Sequence, residues 1–160
     1  MFTLPQLFEE DIQQINGVLR ELLKKTDASL ALIIDQGGFL IAHQGEAGTF
    51  DLTSIAALSS GAYLATQTIA GLVEETAFNA VYQQGENHSV FISAVDAQCQ
   101  LVVIFEARVG VGVVKYYAAG ITQRIAEQME FARQRDPDCG LDLSVLNVED
   151  PSELFRRRDV

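Results

Sequence analysis

The sequence predicts an α+β fold: a five-stranded antiparallel sheet with helices on both faces, followed by a C-terminal tail. Two long stretches, one at each end of the fold, repeat apolar residues every three or four positions, as amphipathic helices do. Between them, short apolar runs rich in β-branched residues are separated by turn-forming residues, which is typical of strands. A third long stretch, residues 52–73, has no charged side chain. The predicted order is helix, two strands, helix, three strands, helix.

Length and composition indicate one compact unit. The chain has 160 residues, of which 48% are hydrophobic, enough for a substantial core. We predict a domain over residues 1–136 and a tail over 137–160. The formal net charge of -11 repels phosphate groups and anionic lipids, so it disfavours nucleic acid and membrane partners. Residues 1–4 do not resemble a signal peptide, and we expect a cytoplasmic protein.

The first helix is predicted over about residues 4–26. Thr3 and Gln6 have the spacing of a capping box, and Pro5 is acceptable in a first helical turn. The predicted inward residues recur at alternating steps of four and three: Phe8, Ile12, Ile15, Leu19 and Leu22.

The strands are predicted from shorter runs. Residues 30–34 and 39–42 flank Asp35-Gln36-Gly37-Gly38, whose glycines can form a tight hairpin turn. Later runs predict strands at 81–83, 89–95 and 101–105, the last one central because it is continuously apolar. A final helix is predicted from Gly112 to about Arg135, with these inward residues: Val114, Tyr117, Ile121, Ile125 and Met129.

The uncharged stretch predicts a helix capped by Asp51, with two apolar stripes. The first is expected to cover the core and contains Ile55, Leu58, Ala62, Ala65, Ile69 and Leu72. The second is expected to be a contact surface and contains Ala57, Gly61, Leu64, Thr68 and Gly71. A membrane span is the rival interpretation. Serine and threonine dilute the stretch, and no lysine or arginine cluster flanks it, so we predict no span.

No motif in the sequence predicts a reaction centre. His43 is expected to close a strand and His88 to lie in a turn, and neither belongs to a catalytic or metal-binding pattern. Gly110-Val111-Gly112 lacks the third glycine of a nucleotide-binding loop. Cys99 and Cys139 lack metal-type spacing. We therefore predict no catalytic residues, no metal and no cofactor.

Three segments, in this order, resemble the roadblock (dynein light chain) domain family. Residues 31–45, ALIIDQGGFLIAHQG, resemble its first hairpin. Residues 53–78, TSIAALSSGAYLATQTIAGLVEETAF, resemble its long second helix. Residues 89–115, SVFISAVDAQCQLVVIFEARVGVGVVK, resemble its closing strands and the entry to its last helix. The resemblance spans about residues 4–135 and is greatest to the MglB-like bacterial members.

The resemblance implies a homodimer whose sheets join edge to edge and whose second helices lie side by side. It also implies activation of an MglA-like small GTPase, by holding its switch regions without donating a catalytic arginine. Family contacts match Leu64 and Thr68, and the implied partner surface comprises Ala57, Ser60, Gly61, Leu64, Thr68 and Gly71. The alternatives are a scaffold that binds a GTPase or another partner without stimulating hydrolysis, and a stripe used only for dimerisation.

The tail carries a second, shorter helix signal. Asp150-Pro151-Ser152-Glu153 has an N-cap residue, a proline at the first position and a glutamate two residues later. This predicts a helix over 151–158 with Leu154 and Phe155 as its apolar pair. The resemblance implies a second contact with the GTPase through this pair; the alternative is a tail without a docked position.

Overall fold

The computed structural model describes residues 4–135, and the order of its elements is the predicted one. Its helices and strands are α1 (Glu9–Thr26), β1 (Leu30–Asp35), β2 (Leu40–Gly45), α2 (Leu52–Leu72), β3 (Ala80–Gln83), β4 (His88–Ala94), β5 (Cys99–Glu106) and α3 (Val111–Gln134). The predicted tail, with its helix over 151–158 and with Leu154 and Phe155, lies outside the described residues.

All five strands form one antiparallel sheet in the order β2-β1-β5-β4-β3. The strand predicted to be central, β5, lies in the middle and is buried from Cys99 to Phe105. Strands β2 and β3 form the two edges. The β1–β2 hairpin and the β3–β4 hairpin therefore lie on opposite sides of β5. Each edge strand leaves one row of backbone N–H and C=O groups unpaired within the sheet.

The two faces of the sheet are covered differently. Helices α1 and α3 lie together over one face, where Ile15, Leu19, Ile121 and Ile125 pack with Val103 and Phe105 in one core cluster. Helix α2 alone covers the other face. Its cluster contains the sheet residues Leu30, Leu32, Ile34, Ile92, Val102 and Ile104, but only Ala56 from α2 is fully buried in it.

Three sequence predictions are wrong in detail. Residues 4–8 are not helical, because α1 begins at Glu9. Its start is fixed by Asp11, whose carboxylate accepts a hydrogen bond from the Phe8 backbone N–H at 2.8 Å; Thr3 lies outside the described residues. His43 lies within β2 instead of closing a strand, and His88 is the first residue of β4 instead of a turn residue.

The uncharged helix α2 is not a membrane span. No helix in residues 4–135 combines the length and the apolar character that crossing a bilayer requires.

Candidate functional site

Helix α2 begins where the sequence predicts. Asp51 caps it by accepting a hydrogen bond from the Ser54 backbone N–H at 3.2 Å. The Ser54 hydroxyl also donates to this carboxylate and, with the backbone bond, lowers the pKa of Asp51. One of the backbone N–H groups at the start of the helix is thereby satisfied within the chain.

The face of α2 that meets the sheet carries small and polar residues. Its buried members are Ala56, Ser59, Ser60 and Ala70. Ser60 donates from Oγ to the Gln36 carbonyl at 2.8 Å, which ties the helix to the β1–β2 turn. Gln67 exchanges two hydrogen bonds with the Phe78 backbone, at 2.8 and 3.2 Å. Neither predicted stripe is this buried face.

Two exposed flanks lie on opposite sides of the buried face, as the 3.6-residue period requires. The small-residue flank consists of Ala57, Gly61, Leu64, Thr68 and Gly71, all exposed. The leucine flank consists of Ile55, Leu58, Ala62, Ala65, Ile69 and Leu72. The expectation that this set covers the core holds for Ile55 and Ala62, which are half-buried and pack against the sheet cluster. It is wrong for the other large members, because Leu58 is 74% exposed, Ile69 50% and Leu72 79%.

Neighbouring elements show which way each flank points. A Cβ built on Gly38, whose φ is +86°, would lie 2.8 Å from the Ala57 Cα. The small-residue flank therefore begins beside the β1–β2 hairpin, at a contact so close that it requires glycine. On the other side, Leu58 lines an apolar cleft of about 340 Å³ together with Gln83 and His88. The leucine flank thus faces the end of the sheet where β3 is the edge.

Of the six predicted partner-binding residues, the structure brings five onto one exposed flank. They are Ala57, Gly61, Leu64, Thr68 and Gly71. Ser60 is the exception, because its side chain is buried and bonded to the Gln36 carbonyl, so it anchors the helix and does not present a surface. Leu64 is the one large side chain on this flank, 51% exposed.

Sequence reasoning missed the leucine flank as a surface. A signal was present, because Ser60 and Gln67 lie on one side of the helix, where both form hydrogen bonds with the backbone of their own chain. With that face assigned, both apolar stripes must lie outside it. Such exposed apolar patches are typical of protein–protein contact sites.

The electrostatics of the site are those of a neutral surface. No side chain between Leu52 and Val73 is charged, and the nearest carboxylates along the chain are Asp51 before the helix and Glu74 and Glu75 after it. Burial raises the pKa of Tyr63, the aromatic residue of the helix, so its hydroxyl stays neutral. Helix α2 can therefore offer a partner apolar contact and close backbone approach, but no ion pair.

Comparisons with known proteins agree with this geometry. The Roadblock/LC7 domain profile matches residues 15–105. The chain is similar to Myxococcus xanthus MglB, with 28% sequence identity, a TM-score of 0.74 and coverage of 81% of this chain and 98% of that chain. Similar values hold for the gliding protein MglB of Thermus thermophilus, at 28% identity, a TM-score of 0.73 and coverage of 82% and 99%.

A further similar structure is an MglB with a tetrameric arrangement, at 27% identity, a TM-score of 0.76 and coverage of 82% of this chain and 99% of that chain. Comparison with curated proteins gives no significant match.

Proposed function

The chain belongs to the roadblock/LC7 family, and from this premise we propose that it is a homodimeric activator of an MglA-like small GTPase. It acts in the cytoplasm as a regulator and has no active site of its own. The observation that carries the proposal is the uncharged helix α2, which leaves two apolar flanks in water on a fold similar to MglB.

The leucine flank is the proposed dimer contact. It lies toward β3, an edge strand of four uncharged residues, Ala80–Gln83, with Tyr82 exposed. A second copy, related by a two-fold axis, can pair its own β3 with this edge and cover Leu58 and Ile69 with its own leucine flank. This single contact would pair the backbone groups of the β3 edge and remove the exposed leucine flank from water. The tetrameric MglB is a related chain that self-associates.

The small-residue flank is the proposed GTPase contact. Ala57, Gly61 and Gly71 have little or no side chain, so the backbone of another protein can approach α2 closely there. Leu64 supplies one apolar anchor in the middle of this flank, and Thr68 follows one turn later. A surface of this kind suits the backbone-rich switch loops of a GTPase better than a charged ligand.

Activation follows from differential affinity. A dimer that binds the hydrolysis-competent switch conformation better than the others shifts the equilibrium constant towards that conformation by the ratio of the two affinities. Since α2 has no arginine, the proposed contact positions the groups of the GTPase itself and supplies no arginine finger. The second contact through Leu154 and Phe155 remains a prediction.

The test is single-turnover GTP hydrolysis by an MglA-like GTPase, measured with and without this protein. A hydrolysis rate that rises and saturates with added dimer supports the proposal. Complex formation with an unchanged rate would instead assign the scaffold function, in which the flank binds but does not activate. No complex with either GTP- or GDP-loaded protein would remove the GTPase from the proposal.

A further inference from the structure

A second unsatisfied surface lies on the other face of the sheet, where α1 begins and α3 ends. It is an open cleft of about 640 Å³, lined by Phe8, Glu9, Glu10, Gln13, Phe131 and Arg135. The Phe131 ring is 61% exposed, so the cleft has an aromatic wall that nothing in residues 4–135 covers. Exposed aromatic walls of this kind suit an apolar side chain.

The floor of the cleft is a fixed ion pair. Arg135 donates from both terminal guanidinium nitrogens, Nη1 and Nη2, to the Asp11 carboxylate, each at 2.8 Å. Its guanidinium also lies 4.6 Å from the ring centre of Phe8 and 5.2 Å from that of Phe131. Asp11 is only 1% exposed and accepts a further bond from Gln128 at 2.8 Å. The arginine charge is thus matched within the floor.

The rim of the cleft is acidic, because the positive charge of Arg135 is already paired with Asp11. Glu9 and Glu10 are exposed, and the groove that continues from Phe131 between α1 and α3 adds Glu127. The arginine of that groove, Arg124, is paired with Glu21 at 2.6 Å. An occupant that fits this surface combines an apolar side chain for Phe131 with cations for the rim.

The chain itself contains such a segment, and we infer that residues 154–158 of the tail dock in this cleft. Leu154 and Phe155 form an apolar pair, and three arginines, Arg156 to Arg158, follow directly. The described fold ends at Arg135, which lines the cleft. The connecting residues, 136–153, can extend to roughly 60 Å, so closure is not limited by length. Tethering holds the segment at roughly millimolar effective concentration, which favours it over a free basic peptide.

Docking of the tail has a regulatory consequence. The cleft and α2 lie on opposite faces of the sheet, so a docked tail keeps Leu154 and Phe155 away from any partner bound to α2. The tail becomes available to a partner only when it leaves the cleft. This inference does not depend on the proposed GTPase activity.

Paramagnetic relaxation in the full chain tests the docking. A nitroxide is placed at the end of the tail with Val160→Cys in a Cys139→Ser background. Cys99 does not compete for the label, because it is buried and burial raises the pKa of its thiol to about 12. We expect amide signals of Glu9 to Gln13 and of Phe131 to lose intensity, while those of α2 keep theirs. Intensity loss on α2, or none at the cleft, would overturn the inference.

A matched pair of variants tests the charge component. Glu9→Gln with Glu10→Gln should restore the amide intensities at the cleft. Glu74→Gln with Glu75→Gln removes the same charge from exposed residues that follow α2 and should leave the intensity loss in place. Equal behaviour of the two variants would contradict docking on the acidic rim.

Mixing distinguishes docking within one chain from docking between copies. Isotope-labelled chain without nitroxide is mixed with spin-labelled chain at natural isotope abundance. Docking within the chain predicts no intensity loss at the cleft in this mixture. Loss in the mixture would show that the tail of a second copy fills the cleft and would refute docking within one chain.

Discussion

Shortening Leu58 to alanine should weaken the dimer far more than it weakens the fold. The change removes three carbons, worth about 0.8 kcal/mol each when buried, or about 2.4 kcal/mol in all. Because Leu58 is 74% exposed in one chain, about 1.8 kcal/mol of this is gained only when a second copy covers it. A two-fold contact contains the residue twice, so dimerisation should lose roughly 3.5 kcal/mol, which raises Kd several hundred-fold.

Sedimentation velocity over a concentration series measures this Kd, and circular dichroism checks that each variant remains folded. Leu64→Ala is the matched control, because it removes the same atoms from the opposite flank of the same helix. Its dimer Kd should stay unchanged while its affinity for the GTPase falls several-fold, since a side chain 51% exposed contributes about 1.2 kcal/mol on burial.

Two results would refute this reasoning. One is a dimer Kd for Leu58→Ala equal to that of the unmodified chain, which would show that the leucine flank is not the interface. The other is an equal loss of dimerisation in both variants, which would show that the flanks do not have separate partners.

Three further outcomes are expected. Chiefly through its hydrogen bonds from Arg135, the pKa of Asp11 is lowered from 3.8 to about 2. A carboxylate whose pKa is lowered by folding stabilises the fold above pH 4, and this stabilisation is lost as pH falls towards 2. Urea unfolding should therefore show Asp11→Asn less stable than the unmodified chain by about 2 kcal/mol at pH 7. The difference should close towards pH 2. Ser60→Ala should cost about 1 kcal/mol of unfolding free energy through the lost bond to Gln36, with dimer Kd unchanged. Finally, two chains of charge -11 repel each other while their proposed contact has no ion pair, so added salt should tighten the dimer; weakening by salt would indicate an ion-paired interface.

The order of the elements could be predicted because each element has a periodic pattern of its own. Helix α3 illustrates this, since four of its five predicted inward residues, Val114, Ile121, Ile125 and Met129, are buried. The start of α1 could not be predicted, because it is set by Asp11, whose main partner is Arg135, 124 positions later. A pattern of neighbouring residues does not contain a contact between positions so far apart, so it misplaces the end of the helix.

The prediction of which side of α2 faces inward was wrong for a different reason. Periodicity identifies the stripes of a helix, but with no charged residue it does not say which stripe faces inward. The side chains of the sheet that α2 covers decide which stripe faces inward. This face of the sheet is already filled by large side chains such as Leu32, Ile92 and Val102, so the fully buried residues of the helix are small ones, and the hydroxyl of Ser60 meets a backbone carbonyl.

Helix α2 therefore departs from the usual amphipathic arrangement: its fully buried residues are serines and alanines, Leu52, Ile55 and Tyr63 are half-buried, and Leu58, Ile69 and Leu72 lie outward. A helix that only had to cover this sheet would need neither Leu58 nor Leu72, because neither is buried by it. Each leucine left in water forgoes on the order of 1.5 to 2 kcal/mol that burial would supply. The fold does not account for these side chains, whereas a second protein surface does, since it recovers that free energy on contact. These outward leucines are thus a stronger indication of partner binding than the absence of charge alone, because an uncharged helix with all its leucines inward would be ordinary core.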